Sequence, residues 1–232
     1  MKKSQDSRHN LAECRASLYG LLSSTYLQIP GKKNVELTWA PARKLLAVTQ
    51  KGTEKPRKEI EKGLKLIGKY DSDAGLLSNE CLINLLKDWT RLFRGVDKTG
   101  PLPPYESLYR SGRLQGQFAQ EINRLFSKMG VGIPEEWRQP PDYIGVELDF
   151  MRFLCEKELH RRDYQQLAIV QETVELEKTF LKEHLGLWVP AFCKKMLEQA
   201  REDYYRGIAH LTLGLVEFDR IWVFRFRPKN LS

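Results

Sequence analysis

The chain has 232 residues, 41% of them apolar and 29% charged, enough for a large core that needs no disulfide or metal to hold it. Its four cysteines, Cys14, Cys81, Cys155 and Cys193, form no close pair of the zinc-binding or disulfide kind and read as reduced core thiols. A net charge of +8 raises the question of a nucleic-acid partner, but the densest basic segment, Lys51 to Lys69, is interleaved with Glu54, Glu59 and Glu61 and reads as a solvated surface.

The polar start, Met1 to Arg8, leads into no apolar signal segment, and no run approaches the roughly 18 apolar residues of a membrane span. This points to a cytoplasmic protein. From Ser7 to Leu27, Leu11, Cys14, Leu18, Leu21, Leu22 and Tyr26 recur at helical spacing, and Ile29-Pro30-Gly31 ends the segment. Weaker helical patterns cover about Thr38 to Val48, before Gly52, and about Pro56 to Tyr70. Leu76 to Phe93 carries a strong stripe through Leu82, Leu85, Leu86, Trp89, Leu92 and Phe93, with Gly95 as its cap.

A stretch rich in glycine and proline, 96–104, then forms a hinge between an N-terminal half, 1–95, and a C-terminal half, 105–220. A helix is expected from about Leu114 to Met129, then a short turn with Trp137. Pro140 and Pro141 cannot lie inside a helix but can lead into one, and Asp142 is its candidate N-cap. That helix runs to about His160 with Ile144, Leu148 and Met151 on one stripe, and Arg161-Arg162-Asp163 makes the corner behind it. Further helices are expected over Tyr164 to His184, ended by Gly186, over Val189 to Tyr205, starting beside Pro190, and near Ile208 to Asp219. The tail, 221–232, opens with β-like residues, Ile221 to Phe226. The fold class is all-α, one domain of about nine or ten helices.

Catalytic patterns fail on inspection. Gly63 to Lys69 has phosphate-loop spacing, yet Tyr70 replaces the magnesium-binding hydroxyl and Leu64, Leu66 and Ile67 read as buried helix. None of His9, His160, His184 and His210 has a glutamate three residues before it, which excludes a helical di-iron site. Glu156 with His160, and Glu183 with His184, read as surface pairs or caps. Ser107 lacks a nucleophile elbow and no cysteine has an activating histidine, so the chain reads as a protein with no catalytic residue, metal site or cofactor.

Four motifs in order carry a resemblance. They are Trp89-Thr90-Arg91-Leu92-Phe93-Arg94-Gly95, Pro104-Tyr105-Glu106-Ser107-Leu108-Tyr109, Pro140 to Met151, and Phe180 to Phe192. Together they are similar to those of the TorD/DmsD/NarJ-type redox-enzyme maturation chaperones. The third departs from the family pattern: Gln139 stands where the family has an acid, and Tyr143 where it has a histidine, a ring that forms no cation near neutral pH.

The resemblance implies a system-specific cytoplasmic chaperone that binds the N-terminal twin-arginine leader of an apo molybdopterin enzyme's catalytic subunit until the cofactor is inserted, before export. On that reading Asp142, with Glu106 and Glu147, takes the arginines in charge-assisted bonds. Trp89, Leu92, Phe93 and Tyr105, with Pro140 and Tyr143 of the third motif, offer a groove for the apolar segment, ordinary core being the other reading of Trp89 and Phe93, which lie one helical turn apart. His184, Trp188 and Pro190 read as a structural corner. The family also implies a homodimer made by exchanging segments across the hinge. The competing reading is a nucleic-acid or nucleotide binder using the basic surface.

Overall fold

In a computed structural model of the chain, the residues described are 2–36, 39–48, 53–70, 77–95, 100–114, 116–159 and 167–225. Among them the regular structure is helical, and the one β-type contact is an isolated antiparallel bridge between Tyr105 and Tyr143. The all-α class expected from the sequence holds. Part of the hinge (96–99), His160, the corner at Arg161-Arg162-Asp163, Tyr164, Gly52 and the end of the tail (226–232) lie outside the described residues.

The first half comprises α1 (Lys2–Leu27), α2 (Lys32–Glu36), α3 (Trp39–Val48), α4 (Glu54–Ile67), which ends in a 3₁₀ turn over Gly68–Tyr70, and α5 (Asn79–Phe93). Helix α5 is capped by Ser78, whose hydroxyl accepts from the Cys81 N–H at 3.1 Å. Gly95 follows its end in the left-handed conformation, φ 62°, as expected of a helix stop. The second half comprises α6 (Glu106–Ser111), α7 (Gly116–Lys128), a 3₁₀ turn at Glu135–Trp137, α8 (Ile144–Leu159), α9 (Leu167–Phe180), α10 (Gly186–Gln199) and α11 (Asp203–Arg225).

Two boundaries differ from the sequence reading. Gly186 and Pro190 do not break the chain: α9 passes into α10 through a π turn over Leu181–Leu185, in which the Gly186 N–H reaches back to the Leu181 carbonyl. A β-carbon on Gly186 would lie 2.3 Å from that carbonyl oxygen, so only glycine fits the widened turn. Pro190 lies inside α10, four residues past Gly186. The second difference is at the C-terminus, where α10 stops at Gln199 and α11 runs from Asp203 to Arg225. Ile221 to Arg225 are therefore helical, because Val223 continues the buried stripe of α11 and packing overrides β propensity.

The most extensive interfaces join α1 to α8 and α4 to α11. The second is close because glycines line it. A β-carbon on Gly207 would meet Ile67 at 2.3 Å, and one on Gly63 would meet the Gly207 carbonyl at 2.9 Å. The Gly63 to Lys69 segment is thus helix packed on helix, and Lys69 ends in an ion pair with Asp203. Cys14, Cys155 and Cys193 are buried free thiols and Cys81 is half-buried, as read from their spacing.

One polar group lies at the centre. Arg15 projects from the apolar stripe of α1 and is 1% exposed. Its Nε donates to Asp219 Oδ1 of α11 at 2.7 Å, its Nη1 to Glu158 Oε2 of α8 at 3.0 Å and its Nη2 to Glu177 Oε2 of α9 at 2.5 Å. Tyr19, one turn on, donates to Asp219 Oδ2 at 2.8 Å. One cation faces three carboxyls, and burial pushes Glu177 upward against the pull of Arg15. Arg15→Ala should lower unfolding free energy by about 3–5 kcal/mol, the usual result of stranding buried charge, measured by urea denaturation; a loss below about 1 kcal/mol would show that the other groups re-pair without it.

Candidate functional site

The second and third motifs are stitched together by backbone bonds. The Ile144 N–H donates to the Pro104 carbonyl and the Glu106 N–H to the Asp142 carbonyl, each at 2.9 Å, on either side of the Tyr105–Tyr143 bridge. This pairing changes the role of Asp142. Its carboxylate does not cap its own helix but accepts from the Ser107 N–H at 3.3 Å, in the first turn of α6. The exchange of backbone bonds brings it beside those free N–H groups. Burial first, with the Glu106 charge adding to it, raises the Asp142 pKa from its ordinary value.

Behind this junction lies a buried acid cluster that the fourth motif completes. Glu106 is fully buried; its Oε2 contacts His184 Nδ1 at 2.9 Å and its Oε1 accepts from Arg110 Nη1 at 2.5 Å. The π turn carries His184 to that position. Arg110 Nη1 also donates to the Glu183 carbonyl at 3.0 Å, and its guanidinium lies 4.5 Å from the centre of the Phe118 ring. Glu147 Oε2 accepts from Trp188 Nε1 at 3.1 Å, while Glu147 Oε1 is buried without a partner. Burial first, and then the Glu106 charge, raise the Glu147 pKa well above its ordinary value.

The nine residues singled out in the sequence for peptide contact separate by exposure. Pro140 is exposed and Tyr105 half-exposed, with the Tyr105 hydroxyl donating to Gln139 Oε1 at 3.0 Å. Glu106, Asp142 and Glu147 meet in one cluster but are buried. Trp89, Leu92 and Phe93 lie in the core and line no surface. Trp89 Nε1 donates to the Thr25 carbonyl at 3.0 Å, and the Phe93 ring packs 5.1 Å from Tyr26 and 5.6 Å from Tyr205. Tyr143 is also fully buried, and its hydroxyl donates to the Tyr26 carbonyl at 2.8 Å. In place of a titrating histidine, the chain here has a phenol whose pKa burial drives upward.

Several residues of the site escaped sequence reasoning. Arg110 pairs with Glu106 four residues before it, a helical spacing that was open to reading, whereas the glutamates that His184 and Trp188 face lie 78 and 41 residues away and leave no local signal. Asp88 and Arg91 also escaped. Asp88 Oδ2 accepts from the N–H groups of Arg201 and Glu202 at 2.8 and 2.9 Å, and Arg91 Nη2 donates to Asp88 Oδ1 at 2.7 Å and the Gln199 carbonyl at 2.5 Å. Helix α5 thereby clamps the corner between α10 and α11.

Residues 54–194, more than half of the chain, match the family described as nitrate reductase delta subunit, and the chain belongs to that family. The chain is a TorD-type maturation chaperone, and the relatives it matches are TorD chaperones. A chaperone protein TorD of Vibrio cholerae serotype O1 is 23% identical over 211 residues, covering 90% of this chain and 92% of the relative. That of Vibrio parahaemolyticus serotype O3:K6 is 28% identical over 147 residues, 62% of this chain and 66% of the relative. A third, from Photobacterium profundum, is 30% identical over 141 residues, 59% and 62% of the two chains.

Glu147 binds its proton more tightly folded than unfolded, so its stabilisation is full below the unfolded carboxylate pKa and is lost as pH rises toward the folded one. Glu177 and Asp142 act in the same direction. Their share of the stability should thus decline between about pH 5 and about pH 8. Glu147→Gln, which keeps the shape and cannot ionise, should flatten the slope of melting temperature against pH; a slope identical to wild type would mean that Glu147 contributes none of it.

Proposed function

We propose that this protein is a cytoplasmic chaperone holding the apo catalytic subunit of a molybdoenzyme by an N-terminal twin-arginine leader until its cofactor is in place. The observation that carries this reading is the junction of the second and third motifs, where Tyr105 and Pro140 reach the surface directly over the buried Glu106, Asp142 and Glu147. A leader joins two guanidinium groups to an apolar segment. The junction supplies an aromatic and proline surface for the apolar part and concentrated carboxyls for the cations, against a chain of net charge +8. Trp89, Leu92 and Phe93 lie in the core and are not part of that surface. Among the described residues no helix is long and apolar enough to cross a membrane.

Exchange of halves across 95–104 would rebuild the same α1–α8 interface between two copies. A swapped dimer is then expected in light scattering, with the helical content of the monomer; monomer alone over a wide concentration range counts against it.

Titration calorimetry with N-terminal peptides of molybdoenzymes encoded in the same genome tests the main reading. One peptide should bind at micromolar dissociation constant or tighter, and Tyr105→Ala should weaken it about tenfold or more. Asp142→Asn, which keeps the size of the α6 cap, should weaken it too. Absence of binding to every peptide by folded protein would refute the leader reading and leave the family assignment standing.

A further inference from the structure

The buried acid cluster is covered on one side by a residue of this chain that itself reaches solvent. Glu106 is fully buried, whereas the Arg110 side chain that covers its Oε1 is 30% exposed. Because His184 occupies Glu106 Oε2, Arg110 pairs with a single oxygen and makes both of its bonds, to Glu106 and to the Glu183 carbonyl, through the one nitrogen Nη1. This is not the two-pronged pairing in which a guanidinium binds a carboxylate most strongly. Behind Glu106, the Oε1 atom of Glu147 is buried and unpartnered, an acceptor whose strongest charged neighbour is Glu106. A buried oxygen without a donor is costly in a folded protein. Arg110 itself sits in the last turn of the six-residue α6, ahead of Gly112 in the left-handed conformation and of exposed residues to Leu114. The Phe118 ring packs against its guanidinium there. Tyr105, the half-exposed residue of the junction, lies at the other end of the same short helix.

We propose that Arg110 is an internal stand-in for a client arginine: the Glu106 carboxylate, with the free Glu147 oxygen behind it, is a guanidinium site that Arg110 fills in the empty chaperone and yields to a bound peptide. This rests on the leader-peptide reading and gives it an order of events. The apolar segment settles over Tyr105 and Pro140, Arg110 swings out from Glu106, and one incoming guanidinium replaces it. Arg110 thus lowers the affinity for arginine-bearing peptides and leaves that for apolar peptides untouched. An occupied resting state also keeps the carboxyls from stranding in a net-positive protein that has no client.

Calorimetry with a synthetic peptide of two adjacent arginines before an apolar stretch, and its counterpart with two glutamines, tests the displacement. Wild type should prefer the arginine peptide. Arg110→Gln should bind that peptide about tenfold more tightly and the glutamine peptide as before, and Glu106→Gln should erase the preference. Equal or weaker binding of the arginine peptide by Arg110→Gln, with cooperative melting intact, overturns the proposal. So does a preference that survives in Glu106→Gln. If Arg110→Gln does not fold, Arg110→Lys, which keeps the charge and loses the planar fork, should bind the arginine peptide more tightly than wild type, and equal affinity overturns the proposal in the same way. Binding by wild type with no response to either Arg110 variant removes the displacement alone; failure of wild type and variants with both peptides removes the leader reading with it.

Discussion

Arg15 is the constraint on which the helical packing depends. A guanidinium withdrawn from water is tolerated only when its donors are matched, and here the three acceptors come from three different helices, α8, α9 and α11. Apolar side chains would allow α1 to slide or rotate against its neighbours at modest cost, since such contacts are non-directional. The hydrogen bonds of Arg15 do not. Any other register of α1 would leave a buried cation facing carbon and three carboxyls facing one another, and Tyr19 on Asp219 adds a second directional bond on the same face. The site lies on helices whose relative placement this cluster holds, because α8 carries Glu147 and the α9–α10 run carries His184 and Trp188.

A second set of polar contacts joins α1 to the motifs. The last carbonyls of a helix have no intrahelical partner, and in α1 they are taken by residues of two separate motifs, Thr25 by the Trp89 indole and Tyr26 by the Tyr143 hydroxyl. Ser23 donates in turn to the Gly145 carbonyl at 2.7 Å at the start of α8. Trp89, Phe93 and Tyr143 thus look like ligand-binding aromatics by type and act as packing and capping groups. Helix α5 adds the clamp of Asp88 and Arg91 on the α10–α11 corner. The motifs bind each other before they bind anything else.

The consequence for function is a division between surface and support. Tyr105 and Pro140 reach the surface at the junction, while Glu106, Asp142 and Glu147 are buried, with the partly exposed Arg110 paired to Glu106. The π turn is part of this arrangement. A regular α-helix through 181–185 would turn His184 by the angle of the extra residue and withdraw it from Glu106, so the irregularity and the acid cluster depend on each other.

The all-α class and most helices were legible from the sequence, because apolar residues at spacings of three and four, bounded by glycine and proline, are a local property of the chain. The four motifs likewise pointed to the chaperone family. Local rules failed where distant contacts took over. Gly186 read as a stop and Pro190 as the start of a new helix, but the chain runs through both from α9 into α10 by way of the π turn; Ile221 to Arg225 read as β-like, but the buried face of α11 keeps them helical. Arg15 on the stripe of Leu11, Leu18 and Leu22 was a visible anomaly, a charge at a core position, yet its partners lie more than 140 residues away. The sequence by itself determined which segments are helices and which family they build. Which polar side chains are buried in packing and which stay at the surface was settled only in the folded chain, because burial and hydrogen-bond partners are properties of the assembled helices and not of any one of them.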